Sequence, residues 1–132
     1  MQELAVRVLA ICMLCAVSAA CDDVGNSELL RAVSALERHY VEGDTNLPAI
    51  RCRTQSHNGE KFVLCAHPEG GTDGLYQVTV QGGNVAVAPM TSRSHHYLVG
   101  RKVLLDDFHR PVTITELAAP RTDLDTIVAL FK

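Results

Sequence analysis

Three groups of residues have side chains capable of chemistry. Cys52, Cys65 and His67 fall close together in the sequence and offer thiol and imidazole, ligand types that suit zinc. Asp106, Asp107 and His109 put two carboxylates beside an imidazole, the raw material of acid–base catalysis. His95 and His96 are adjacent. Each group falls short of a recognisable site. The cysteines lack a C-x-x-C spacing, and no fourth ligand follows at a usual interval. No nucleophile with a known motif accompanies Asp106, Asp107 and His109, and Asp-Asp is ordinary turn chemistry. Adjacent histidines on a strand would point to opposite faces, so Thr91–His96 is expected to be a solvated loop. The Gly-rich stretch Ala66–Gly74 lacks the strand-to-helix context of a phosphate cradle and is expected to be a connection. The expectation is a protein that is not an enzyme, with no catalytic residues, no metal site and no cofactor.

Cys52 and Cys65 are better explained by the ribbon that must position them. Asn58-Gly59 is a strong two-residue hairpin signal, because both central residues of a type I′ turn need positive φ. With that dipeptide at the turn, His57 faces Glu60, Gln55 faces Phe62 and Cys52 faces Cys65. Counted outward from the closing pair, 52/65 is a non-hydrogen-bonded site, where Cα atoms lie about 4.5 Å apart, near the short end of disulfide geometry. A disulfide is the expected fate of this pair. Which face of the hairpin is buried stays open. Phe62, Leu64 and Ala66 lie beside Arg51 and Arg53, while Val63 and Cys65 lie beside Ile50 and Thr54. An open Phe62 face would be an apolar partner patch rimmed by arginines. A buried one would leave the arginines to snorkel.

The rest of the chain supplies an α+β frame. Ser27–Glu42 repeats Leu29, Val33, Leu36 and Tyr40 at helical spacing, with Asn26 or Ser27 as cap and Gly43 at the exit. Its polar face mixes signs, which suits core packing better than lying on a membrane. Leu75–Val80 and Val85–Met90 flank Gly82-Gly83 as a second hairpin, with Tyr76, Val78, Val80, Val85 and Val87 on one side and Gln77, Thr79, Ala86 and Ala88 on the other. Tyr97–Leu105 and Val112–Leu117 read as further strands. Thr122–Lys132 reads as a short helix capped by Thr122, with Asp125 completing the box and Leu124, Ile127, Val128 and Phe131 as its docking face. The predicted order is helix, an antiparallel sheet of about four to six strands, helix.

The first twenty residues read as an address. Met1–Arg7 is a net positive segment, Val8–Val17 is an uncharged apolar run, and Ser18-Ala19-Ala20 is a small-residue cleavage site. The uncharged stretch Val8–Ala20 is shorter than the roughly 20 residues of a membrane span. Val17-Ser18-Ala19-Ala20-Cys21 resembles the lipobox of bacterial lipoproteins, departing from it at Ser18, where that pattern prefers an aliphatic residue. The resemblance implies that Cys21 is acylated and becomes the mature N-terminus. Asp22 is similar to the inner-membrane retention signal of enteric-type lipoproteins. Ordinary cleavage after Ala20, giving a soluble periplasmic or secreted protein, is the alternative. Of five cysteines, Cys12 and Cys15 leave with the signal, and Cys21, Cys52 and Cys65 remain. A lipid on Cys21 accounts for the odd thiol and leaves one pair to bond.

The domain plan is therefore a signal over 1–20, a tether over 21–25 and a single domain over 26–132. Removing 1–20 from the 132 residues leaves 112, enough for one modest core. The net charge of −3 is unchanged by losing Glu3 and Arg7, and Trp is absent, so nucleic acid is not an expected partner. The expected function is that of a non-catalytic, periplasm-facing envelope lipoprotein, held to the membrane through Cys21. It would act by contact with an envelope protein, as an accessory of an assembly or secretion system or as an inhibitor or immunity protein. The alternative is a periplasmic metal or small-ligand binder using His67, His95, His96 or His109.

Overall fold

The computed structural model describes residues 27–42, 50–69, 72–116 and 118–132. The signal, the tether, Cys21, Asp22, the Asn26 cap and the Gly43 exit lie outside the described residues. Helix α1 covers 27–42. It is followed by β1 (Arg51–His57), β2 (Glu60–Ala66), β3 (Thr72–Gln81), β4 (Asn84–Pro89), α2 (Ser92–Tyr97), β5 (Val103–Leu105), β6 (Pro111–Ile114) and α3 (Leu124–Leu130). One six-stranded sheet runs in the order β1-β2-β3-β4-β6-β5. The fold is α+β.

The first hairpin has the predicted register, with Cys52 opposite Cys65 and His57 opposite Glu60. Asn58 and Gly59 both take positive φ, 50° and 81°. The second hairpin turns on Gly82 and Gly83, φ 56° and 83°, and pairs Val80 with Val85.

The sheet departs from the antiparallel expectation in one place. β4 and β6 are parallel, pairing Ala86 with Thr113 and Val87 with Ile114. The chain leaves β4 through α2, enters β5 two places away, and hairpins back into the vacant slot. A strand antiparallel to β5 there must run parallel to β4.

Three further elements differ from their sequence reading. Thr91–His96 is not a loop: Thr91 caps α2 in a reciprocal box with Ser94, whose N–H donates to Thr91 Oγ1 at 3.2 Å. Ser94 is buried and its hydroxyl also donates to the Thr91 carbonyl at 2.9 Å, which satisfies the polar run locally. The strand predicted from Tyr97 starts only at Val103, because α2 runs to Tyr97 and Gly100 (φ 78°) turns the chain. In α3 the cap is Asp123, which accepts from the Thr126 N–H at 3.2 Å. Its docking face is Ile127, Leu130 and Phe131, while Leu124 and Val128 are exposed.

Both faces of the first hairpin's inner strand are covered. On one face, Val63, Cys65, Tyr76, Val78, Val85, Val87 and Val112 pack under Leu29, Ala32, Ala35, Leu36 and Tyr40 of α1. On the other, Phe62, Leu64 and Leu75 pack under Ile127 and Phe131 of α3. The Phe62 face is therefore core, and the Arg53 guanidinium lies over the Phe131 ring, 5.9 Å from its centre.

α1 also gives the molecule two distinct ends. Asn58-Gly59, Gly82-Gly83 and the 106–110 turn all lie at one end of the sheet, as the strand directions require. The first half of α1 sits there, its Arg31 donating to the carbonyls of Gly83 at 3.0 Å and Pro111 at 3.2 Å. The second half reaches the far end, where the buried Tyr40 hydroxyl meets that of Tyr76 at 2.6 Å and His39 Nε2 donates to the Tyr97 carbonyl at 2.7 Å. Gly74 is required at that end: a Cβ there would collide with both tyrosine hydroxyls.

Candidate functional site

The ribbon brings the two thiols together. Cys52 and Cys65 form a disulfide across β1 and β2, with Cα atoms 4.0 Å apart. Cys65 is fully buried against the α1 face, and the backbone N–H of Cys52 donates to Glu37 of α1 at 2.9 Å. The bridge thus ties the edge strand both to its neighbour and to the helix.

Asp106, Asp107 and His109 do fall together in one turn, but their bonds stay within the fold. Asp106 is 1% exposed. Its Oδ1 accepts from the backbone N–H groups of Phe108 and Arg110, each at 2.9 Å. Its Oδ2 accepts from Arg110 Nε at 2.9 Å and lies 3.4 Å from Arg31 Nε. Burial pushes this carboxyl up, but the two backbone donors and the Arg110 guanidinium outweigh it and hold it below its ordinary value. A carboxylate so engaged is poorly placed to move a substrate proton. The backbone N–H of Asp107 donates to Ser34 Oγ on α1 at 3.0 Å. His109 takes positive φ, 59°, and its Nδ1 lies 3.3 Å from Arg38 Nη1. The cluster acts as a knot joining the β5–β6 turn to α1.

The histidines are divided between the ends. His109 is at the turn end. His67, His95 and His96 are at the far end, His67 accepting from the Glu69 N–H at 3.2 Å and the other two exposed on successive positions of α2. Among the described residues no three His, Cys, Asp or Glu side chains are grouped so as to hold a metal.

Glu60 is a buried carboxylate that the sequence reading passed over. It accepts from the N–H groups of Arg121 and Thr122, from the Thr122 hydroxyl at 2.8 Å and from Gln77 Nε2 at 3.1 Å. Burial raises its pKa, and the Arg121 and Thr122 donors more than reverse the effect, so it is held below its ordinary value. This explains why Thr122 does not cap α3: its hydroxyl is bound to Glu60. The only sequence signal was positional, an acidic residue in phase with Phe62 and Leu64 on a face that proved to be core.

A concavity of about 600 Å³ lies at the far end between the α2–β5 turn and the end of β6. Its apolar lining includes Leu98, Val99, Val103 and Ile114, and Arg101 and Glu116 also line it. Val99 is 63% exposed. The groove has the size of a contact site and a lining that combines apolar side chains with His95, Arg101, Lys102 and Glu116. Among the described residues no helix is long and apolar enough to cross a membrane. No family model, no curated protein and no solved structure matches this chain.

Proposed function

We propose that this chain is a non-catalytic lipoprotein of the bacterial cell envelope, cleaved before Cys21, acylated there, and acting by contact with an envelope protein as an accessory or inhibitor. The observation that carries the reading is the pairing of Cys52 with Cys65. That bond belongs in an oxidising compartment, and once a signal carrying Cys12 and Cys15 is removed it leaves Cys21, behind a lipobox-like segment, as the remaining cysteine. Two further observations support it. The buried carboxylates Glu60 and Asp106 are engaged by donors of their own chain. An apolar groove lined by Val99 and Val103 is at the far end of the domain from the start of α1, where a membrane-held protein would meet a partner.

Intact mass spectrometry of protein extracted from membranes tests the reading. The expected species begins at Cys21, carries acyl mass and lacks the two thiol hydrogens of Cys52 and Cys65. Full-length protein in the cytosol, with both ribbon thiols open to alkylation, overturns it. Val99→Asp then tests the mode of action. It should abolish capture of the envelope partner from solubilised membranes while leaving the melting temperature unchanged, because Val99 is exposed.

A further inference from the structure

The turn end carries two large apolar side chains that the core does not use. Leu30 on α1 is 63% exposed and Phe108 in the β5–β6 turn is 78% exposed. They line one groove of about 390 Å³, with Ser27, Ser34 and Asp107 beside them. Phe108 is held outward by a rigid turn. Its N–H is bound to Asp106 Oδ1 at 2.9 Å, and the neighbouring Asp107 N–H is bound to Ser34 at 3.0 Å. The Arg110 guanidinium stands 5.2 Å from the centre of the Phe108 ring. An aromatic ring with a cation at its face suits the headgroup level of a bilayer, where one side is apolar and the other wet.

The groove is not strongly charged. Glu37 and Asp107 line it with Arg110, and Arg31 is turned inward to Asp106. A strongly charged partner is therefore not what the patch fits, and apolar insertion is. Chain length then selects the occupant. Cys21 precedes the first described helical residue, Ser27, by six positions, a reach of about 21 Å at most when fully extended. β3 has ten residues, and a strand of that length spans about 34 Å. An acyl group on Cys21 therefore keeps the turn end within about 21 Å of the bilayer, a reach shorter than the sheet is long.

We infer that the Leu30–Phe108 pair is a second membrane contact, seated at the headgroup boundary of the bilayer that holds the Cys21 lipid. It sets the domain upright, with the Val99 groove pointing away. This inference rests on the lipoprotein reading above and adds an orientation to it.

Trp is absent from the chain, so a single introduced Trp reports its own surroundings. Acylated full-chain protein is prepared as Phe108→Trp and, as a far-end control, Val99→Trp. Each is reconstituted into phosphatidylethanolamine–phosphatidylglycerol vesicles whose lipids are brominated near the top of the acyl chains. The Phe108→Trp emission should shift blue and be quenched about twofold, independently of salt, while the Val99→Trp emission is unaffected. Adding Leu30→Asp should relieve the quenching. Water-like, unquenched Phe108→Trp emission in protein whose mass shows the acyl group overturns the inference and leaves the anchor standing. Shielding of Phe108→Trp in native membranes but not in vesicles also overturns it, and assigns the patch to a protein instead. Protein without acyl mass loses the lipoprotein reading and this one together.

Discussion

On one face of the sheet, α1 spans from the turn end to the far end and, among the described residues, buries five of its own side chains over eight from the strands, one of them the disulfide-bonded Cys65. On the other face, α3 offers seven helical residues, docks Ile127 and Phe131 over Phe62, Leu64 and Leu75, and leaves the β5–β6 half bare, with Val103 and Leu105 each 46% exposed. The two faces are stabilised by different physics. The α1 face is a broad apolar contact, whose strength is spread over many residues. The α3 face is a small contact placed by one carboxylate, Glu60, since a helix this short has little stability of its own. The first should fail only globally and the second should fail locally.

The largest effect is expected at the centre of the α1 face. Leu36 is fully buried, and Leu36→Ala should cost about 3 kcal/mol by lost transfer energy and cavity formation. Chemical denaturation should show one cooperative transition moved to lower denaturant with its slope unchanged. A second transition, or a loss confined to α1, would mean that this face is not the cooperative unit. Opening the bridge acts on the same face through the unfolded chain. Cys52 and Cys65 are 13 positions apart, and Cys52→Ala with Cys65→Ala should cost about 3 kcal/mol, less if the native bond is strained. Reductant should mimic the double substitution, and its effect should vanish in that variant.

The uneven coverage also accounts for what was legible beforehand. The ribbon register followed from Asn58-Gly59, a dipeptide whose backbone preference is local, and the cysteine pairing followed from the register. Leu29, Leu36 and Tyr40 of the buried α1 stripe followed from periodicity, while Ala32 and Ala35 were not marked by it and Val33 is only partly buried. α2 was missed because a polar run carries no apolar period; its start is written in the Thr91 and Ser94 hydroxyls, whose reciprocal bonding also suits a turn. The parallel β4–β6 pair was missed because strand direction depends on where the chain re-enters the sheet, and no local residue encodes that. The same holds for the candidate sites. The Asp106 turn was visible as chemistry, yet its engagement by Arg31, Arg110 and two backbone groups joins residues far apart in sequence. Glu60 gave no sign of its partners, which are some sixty positions away. The far-end groove is assembled from Pro89, His95, the 98–103 segment and 113–116, which no motif links.

Glu60 offers the cleanest way to separate the faces. Glu60→Ala removes the acceptor for the Arg121 and Thr122 N–H groups and should cost about 2 kcal/mol. The loss should be local: hydrogen exchange should quicken across 121–132 while the α1 amides keep their protection. Uniform quickening would merge the two faces into one unit. Acidity should act at the same places. Glu60 and Asp106 are both held below their ordinary values in the fold. Their contribution is therefore full above the unfolded carboxylate value near pH 4 and is lost as the pH falls through the lower folded values, because the unfolded chain takes up the protons first. Stability should fall with pH below about 4, and Glu60→Gln should flatten that slope.

The smallest effect is expected on the bare half of the second face. Val103 is 46% exposed on β5, which among the described residues is an edge strand paired with β6. Val103→Thr keeps the β-branch and the strand preference while making the surface polar, and should change stability by less than about 0.5 kcal/mol. A partner seated in the groove that Val103 lines would lose apolar contact there, so capture should weaken by about tenfold with the melting temperature fixed. A drop in melting temperature would instead show that this half of the sheet is covered within the folded chain. Unchanged capture with unchanged stability would move the contact site off the β5 edge. The pair of measurements, binding against stability at one residue, distinguishes a face left open for a partner from one that the fold merely fails to cover.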